Sequence, residues 1–185
     1  MSPERLWLLS IALRRRGHRR LALAVKRLGA LLYHNSLPIN ASVSSDIRFE
    51  HHGFGVIVHD NVVIGRRVKI FHHVTLAVRS WAGVPAELII EDDVVIGANA
   101  VVITPVGVSL RIGRAARIGA GAVVTHDVPA GATVVSAEPR VLMHRSGTRL
   151  ALADERASPQ AQAAEARSGS PDGAGAERSA LVEEE

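Results

Sequence analysis

The sequence predicts a mainly β protein built as a parallel β-helix, and a six-residue repeat is the main observation behind this. From Ile96 to Val123 an aliphatic residue opens most blocks of six, a glycine usually follows, and a small residue comes four places after the opener. This period matches neither the roughly 3.6-residue helical period nor the alternation of a half-buried strand. Aromatic residues make up only 3% of the chain, which suits a narrow coil. We expect the opener to point inward and the glycine to permit the bend, since it lacks Cβ.

Composition and charge restrict the functional classes. The chain has no cysteine, which excludes structural disulfides, thiolate metal sites and cysteine nucleophiles and agrees with a reducing, cytoplasmic location. The net charge of +4 hides a basic start, because residues 1–30 hold eight Lys and Arg against one acid, Glu4. No aromatic residues alternate with these bases and no nucleic-acid motif is present, so we expect no nucleic-acid binding.

Residues 1–36 are predicted to form a helical segment. One short helix is expected over residues 5–13 and a second over about 21–32, with Gly17 breaking the chain between them. The second has an apolar stripe at helical spacing, made of Leu21, Val25, Leu28 and Leu32. The first apolar run is shorter than the roughly 20 residues that span a bilayer and lacks the flanks of a signal peptide. Both helices are expected to pack on the first coil or on a neighbouring subunit; the alternative is a weak contact with an anionic membrane surface.

Residues 37–145 are predicted to form the β-helix, and residues 146–185 a disordered tail. Pro38 cannot continue a helix and marks the entry into the coils. Two stretches break the repeat, residues 77–88 and a smaller one at 104–111, and both are expected to leave the coil as loops. The tail is rich in Ala, Ser, Gly and Glu, and it cannot bury enough apolar surface to offset its ordering entropy.

Histidines cluster at the start of the repeats. Five of the nine fall within about one and a half coils: His51, His52, His59, His72 and His73. Because stacked coils bring residues one coil apart together, His52 and the His72–His73 pair are predicted neighbours, with Gly53 and Gly55 keeping the backbone near His52 open. Histidine titrates close to neutral pH, so it can take the proton from a weak hydroxyl nucleophile. The alternative is that His52 is an ordinary surface or interface histidine.

The stretch Phe49–Val58 resembles the catalytic segment of the hexapeptide-repeat acyltransferases, and within them most closely that of the serine O-acetyltransferases. The resemblance runs from about residue 37 to 143 and implies a left-handed parallel β-helix. Alignment on Gly55 places His52 on the family's general base and His51 on the slot before it; a shift of one residue would make His51 the base. The implied activity is acetyl transfer from acetyl-CoA to the hydroxyl of serine or a serine-like amino acid, without a metal.

The resemblance also implies binding sites and an assembly. The donor's pantetheine arm is expected in a groove between the subunits of a homotrimer, against small residues, with an arginine near the nucleotide phosphates. The residues implied for the acceptor are His51, His72 and His73, and those implied for acetyl-CoA are Gly97, Ala98, Ala116 and Arg140.

Two departures from the family leave alternatives open. The family has an orienting acid at the entry of the first coil, whereas residues 37–40 here contain none, and Asp46 and Glu50 are the nearest acids. The family also has a histidine after the protruding loop that helps recognise the amino acid, whereas residues 84–88 lack one. A sugar or polysaccharide precursor is therefore an alternative acceptor. Less favoured alternatives are a zinc enzyme of the γ-carbonic-anhydrase type, whose histidine spacing is not matched, and a noncatalytic trimeric scaffold.

Overall fold

The computed structural model describes residues 2–80 and 84–138, in which two helices precede thirteen short strands. The helices are α1 (Pro3–Arg15) and α2 (Arg19–Tyr33). The strands are β1 (Ser42–Val43), β2 (Arg48–Phe49), β3 (Ile57–Val58), β4 (Val62–Ile64), β5 (Lys69–Ile70), β6 (Thr75–Ala77), β7 (Leu88–Ile90), β8 (Val95–Ile96), β9 (Val101–Ile103), β10 (Leu110–Ile112), β11 (Arg117–Ile118), β12 (Val123–Val124) and β13 (Thr133–Val134). The predicted tail, residues 146–185, lies outside the described residues.

The strands form three parallel sheets that are the three faces of a prism. The first sheet has the order β1-β4-β7-β10, the second β2-β5-β8-β11-β13 and the third β3-β6-β9-β12. Each coil therefore contributes one strand to each face. The openers stack in register, with Ile70 beside Ile96 and Ile96 beside Ile118. The predicted parallel β-helix with short N-terminal helices is confirmed.

The interior follows the repeat, but the bend has a different cause from the one predicted. Ile96 and Ala100 are fully buried, as expected for an opener and its small partner. The glycine after the opener is needed for close approach, because a Cβ on Gly97 would lie 2.6 Å from the backbone nitrogen of Ala120 in the next coil. The left-handed residue that turns the corner comes two places later, at Asn99 with φ 58°.

Helix α1 closes the start of the prism. Trp7 is only 2% exposed, and its ring stacks on Phe49 with the centroids 5.8 Å apart. The indole N–H of Trp7 donates to the carbonyl of Pro38 at 2.6 Å. The backbone N–H of Phe49 donates to Oε1 of Glu4 at 2.8 Å. The first helix therefore packs on the first coil through both apolar and polar contacts.

Helix α2 packs through its small residues and leaves its leucines outside. Ala22 and Gly29 are buried, whereas Leu21, Leu28 and Leu32 of the predicted stripe are exposed. Of the predicted positions for this stripe, the structure does not show packing on the first coil, and a neighbouring subunit and a membrane surface stay predictions. Among the described residues no helix is long and apolar enough to cross a membrane.

The two interruptions of the repeat lie against each other. The backbone N–H of Arg79 donates to Oγ1 of the buried Thr104 at 2.9 Å, and Gly107 donates to the Arg79 carbonyl at 2.8 Å. The backbone N–H of Glu87 donates to Oγ of Ser109 at 3.0 Å. Residues 81–83 of the first loop lie outside the described residues. These contacts fix the described parts of both loops on the same side of the prism.

Opposite charges follow one another down the edge between the first and second sheets. The ion pairs are Asp46–Arg66, Asp92–Arg114, Asp93–Arg67 and Glu91–Arg111. The hydrogen bonds from Arg67 hold the pKa of Asp93 below its usual value. The hydrogen bond from Arg111, with a backbone N–H as a smaller contribution, lowers the pKa of Glu91. Each pair is exposed, so each stabilises the fold only modestly by itself.

Candidate active site

The histidines lie at the edge where the second sheet turns into the third. In the first coil this corner spans residues 50–56, whereas the next coil crosses the same edge with residues 71–74. The longer corner contains a 3-10 turn, Glu50–Gly53, in which His51 and His52 have left-handed backbone angles, φ 51° and 58°. Each such residue costs roughly 1–3 kcal/mol and persists only where the surroundings hold it. Single left-handed residues also occur at ordinary corners, such as Asn99, whereas His51 and His52 are the one consecutive non-glycine pair among the described residues, which makes this bulge the candidate site.

The histidine pair of the second coil packs against the first-coil bulge through His51. The rings of His51 and His72 meet edge to face, with the centroids 5.0 Å apart and an interplanar angle of 87°. The ring of His73 lies 5.6 Å from that of His72. The ring of His52 lies 6.1 Å from that of Tyr33, the last residue of α2. The structure thus brings the bulge and the pair together as predicted, but with His51 rather than His52 in contact with His72.

One nitrogen of His72 is buried without a partner. Its Nδ1 makes no hydrogen bond to any residue in the part of the chain that the structure describes. A buried acceptor without a partner is less rare than a buried donor without one. We therefore assign the proton of the neutral ring to Nε2. His72 then has an N–H that can donate to a bound ligand.

Gly55 makes room for His73. It has φ +69°, and a Cβ at this position would overlap the imidazole ring of His73. His73 itself has a left-handed backbone, with φ 55°. Its backbone N–H donates to the carbonyl of Phe54 at 2.7 Å. The rings of His73 and Phe54 are 5.6 Å apart, and Phe54 lies 5.1 Å from His34 at the end of α2. The space that the glycine was expected to provide for His52 is therefore used by His73.

The two acids considered as orienting groups have different positions. Asp46 accepts a hydrogen bond from Oγ of Ser44 at 2.7 Å and lies 3.7 Å from Nε of Arg66. The Ser44 bond lowers the pKa of Asp46, which is held at the edge between the first and second sheets. Asp46 is therefore not available to a histidine. Glu50 begins the 3-10 turn directly before His51.

Below the histidines, the same edge is lined by small residues. The backbone N–H of Asn99 donates to the carbonyl of His72 at 3.1 Å, and that of Gly121 donates to the carbonyl of Ala98 at 2.8 Å. Successive corners therefore stack directly beneath the bulge. Gly97 and Ala98, implied for the donor, share this edge with the histidine pair.

Ala116, which is also implied for the donor, does not share that edge. Ala116 lies at the corner between β10 and β11 and is fully buried, so its side chain faces the interior of the prism. Arg140 lies outside the described residues. Within residues 2–80 and 84–138, no group of three or more His, Cys, Asp or Glu side chains is placed to hold a metal ion.

Sequence reasoning missed the two rows of outward side chains that flank the histidine edge. On the second sheet the row holds three bases, Arg48, Lys69 and Arg117, with Val95 between the last two and Thr133 at its end. On the third sheet the row is uncharged, with Ile57, Thr75, Val101 and Val123. The sequence did contain a pattern that predicts both rows, because each of these residues lies directly before an inward-facing aliphatic or aromatic residue. Tyr33 was missed because nothing in a helix end predicts contact with a bulge.

Comparisons with known proteins agree with this fold. A sequence profile for the hexapeptide repeat of succinyl-transferase matches residues 87–126. The serine acetyltransferase of Bacillus licheniformis is 40% identical over 95 residues, which are 51% of this chain and 42% of that protein. The structure of soybean serine acetyltransferase complexed with serine is 34% identical with a TM-score of 0.60, covering 73% of this chain and 54% of that chain. The serine acetyltransferase of Neisseria gonorrhoeae in complex with serine is 29% identical with a TM-score of 0.60, covering 72% and 54%.

The chain carries the hexapeptide repeat and is similar to the acyltransferases built on it, and its parallel β-helix agrees with the predicted fold class. Among these proteins it is similar to the serine acetyltransferases, as the resemblance implied. The chain spans about half the length of the relatives it matches.

Proposed function

We propose that the protein is an acetyl-CoA-dependent O-acetyltransferase whose acceptor is the hydroxyl of serine or a serine-like amino acid. The observation that carries the proposal is the strained bulge of the first coil, which holds His51 against His72 and places His52 beside Tyr33. The small-residue corners beneath it support a donor bound along the same edge. The similar soybean and Neisseria gonorrhoeae proteins are serine acetyltransferases solved with serine.

His52 is the proposed general base. A free ring nitrogen accepts the proton of the acceptor hydroxyl while the oxygen attacks the thioester carbonyl carbon. The carbon–sulfur bond then breaks, and the imidazolium returns the proton to the leaving thiolate, so the products are the acetyl ester and the free thiol. Tyr33, whose ring lies 6.1 Å away, limits the positions that the His52 ring can take. His51 is the second candidate for the base, because its ring contacts His72 directly.

His51, His72 and His73 are proposed to line the acceptor pocket. The Nε2–H assigned to His72 can donate to a carboxylate or hydroxyl oxygen of the acceptor. The hydrogen bond from its backbone N–H to the carbonyl of Phe54 positions His73, and its ring occupies the space that Gly55 leaves by having no side chain. Glu50, the residue before His51, is the acid of this turn.

The rows beside the edge support the proposed donor site and a homotrimer. The uncharged row on the third sheet includes Ile57 and Val123, which are 50% and 66% exposed, and a partially exposed aliphatic face of this kind suits a subunit contact. The basic row on the second sheet has a charge that suits the phosphates of acetyl-CoA. A donor lying along Gly97 and Ala98 would then bind at the seam between subunits. Because Ala116 is buried, we assign it a structural role in the corner and no contact with the donor.

A sugar hydroxyl is the second candidate acceptor. One observation favours it: residues 84–88, after the protruding loop, lack the histidine with which the family recognises the amino acid. The described end of that loop instead contacts the next insertion through the Glu87–Ser109 hydrogen bond. Direct competition between serine and a panel of sugars distinguishes the two acceptors.

The test is release of free thiol from acetyl-CoA, measured with serine and with each sugar. His52→Ala should lower kcat by about 10²–10⁴-fold, the usual contribution of a general base. His51→Ala should raise the KM for the acceptor and keep most of kcat. His126→Ala is the matched control, because His126 is exposed, lies far along the chain from the bulge and contacts the hydroxyl of its neighbour Thr125.

Two results would decide against this assignment. A large loss of kcat in His51→Ala with little change in His52→Ala would move the base by one residue. Acceptor-dependent thiol release that survives both substitutions would remove histidine catalysis at this bulge altogether.

A further inference from the structure

The outward face of α2 carries leucines that no described residue covers. Leu21 is 58% exposed, Leu28 46%, Leu31 74% and Leu32 55%. They recur at helical spacing within about 100° of one another around the helix, so they form one continuous stripe. Single exposed leucines are ordinary, whereas an aligned set marks an interaction surface.

Bases lie along one border of this stripe. Arg20 and Arg27 are both exposed and, two helical turns apart, lie on the same flank of the leucines. The end of α1, the turn after it and the first residue of α2 add further exposed bases: Arg14, Arg15, Arg16 and Arg19. The acid of this segment, Glu4, accepts the bond from the backbone of Phe49. Among the described residues, the ion pairs use arginines of the prism and leave these bases unpaired.

We propose that α2 docks flat on an anionic lipid bilayer. The leucine stripe would enter the boundary between headgroups and acyl chains, and the flanking arginines would reach the lipid phosphates. A second copy of the chain fits less well, because joining two such faces would bring their bases together at a repulsive cost. An anionic membrane matches both the apolar stripe and the positive border.

Vesicle binding of the full chain tests this surface. The protein should co-sediment with phosphatidylcholine vesicles that contain about one-third phosphatidylglycerol, but not with pure phosphatidylcholine, and salt should weaken the binding. Arg20→Ala with Arg27→Ala should lower partitioning about thirtyfold, since each base near an anionic surface contributes about fivefold. Lys69→Ala with Arg117→Ala removes the same charge from the prism and should leave partitioning nearly unchanged.

The leucines are tested separately. Leu28→Ser with Leu31→Ser should abolish partitioning while leaving the circular dichroism spectrum and the lipid-free molar mass unchanged, because both side chains are exposed. A fall in lipid-free mass in this variant would show that the face is a contact between copies and overturn the proposal. Equal binding to both vesicle types, or equal loss in the prism control, would also overturn it. None of these measurements depends on acetyl transfer, so they stand apart from the proposed activity.

Discussion

Replacing Gly55 by alanine perturbs the site through a single methyl group. Gly55 has φ +69°, and the added Cβ would overlap the ring of His73. Two effects are therefore combined: a backbone penalty and the displacement of one imidazole. Gly131→Ala separates them, because Gly131 has φ +72° but a Cβ added there would meet no atom within 4 Å.

The expected magnitudes differ between stability and activity. The left-handed backbone should cost about 1–2 kcal/mol in either variant, since alanine is disfavoured in this region. For a chain of this size that corresponds to a loss of about 2–4 °C in Tm per kcal/mol. His73 is an exposed side chain and can rotate away, so Gly55→Ala should lose little more stability than Gly131→Ala. The displaced ring should lower kcat/KM for the acceptor about tenfold, the value of one good hydrogen bond.

Thermal unfolding and thiol release with serine measure the two quantities. The double variant of Gly55→Ala with His73→Ala should be no less active than His73→Ala alone, because the glycine is expected to act only through that ring. Full activity in Gly55→Ala, at the same stability loss as Gly131→Ala, would refute a role for His73 in the acceptor pocket.

Three other expectations concern the scaffold. Ile118→Asp should lose more than about 4 kcal/mol by burying an unpaired charge inside the prism, whereas Ile118→Val should lose about 0.5–1.5 kcal/mol; an unchanged urea midpoint in the first would contradict its inward position. Because their ion pairs lower the folded-state pKa of Glu91 and Asp93, these carboxylates should stabilise the fold above their unfolded pKa of about 4, and that stability should disappear as the pH falls through the lowered values. Urea titrations across this range should show the loss, and Asp93→Asn should flatten it. Val123→Lys should lower the molar mass by light scattering if the third sheet forms the trimer contact; a wild-type protein that is already monomeric would refute the assembly.

The fold was predictable because the repeat imposes burial at fixed positions. Ile96, Ala100 and Ile118 are inside, as their places in the period require. The reason for the glycines was not predictable, since the closeness of Gly97 to the next coil depends on how coils stack. What covers the outward stripe of α2 was not predictable either, because helical spacing defines a stripe but does not say which surface meets it.

The site was predicted as a cluster but not in its contacts. The proximity of the bulge to His72–His73 followed from the coil length. The extra residues of the bulge, however, place His51 and His52 in consecutive left-handed conformations that turn the two rings toward different neighbours. One ring meets His72 and the other meets Tyr33. No periodic pattern carries that information, because it arises where the period is broken.

The stacking of Trp7 on Phe49 affects local unfolding at this end of the molecule. In a solenoid each layer touches only the layers next to it, so terminal layers fray before central ones. The histidine bulge belongs to the terminal coil. The helices α1 and α2 take the place of the coil that would otherwise precede it. Amide protons around the bulge should therefore exchange at a rate governed by detachment of α1, although the cap contains none of the reacting groups.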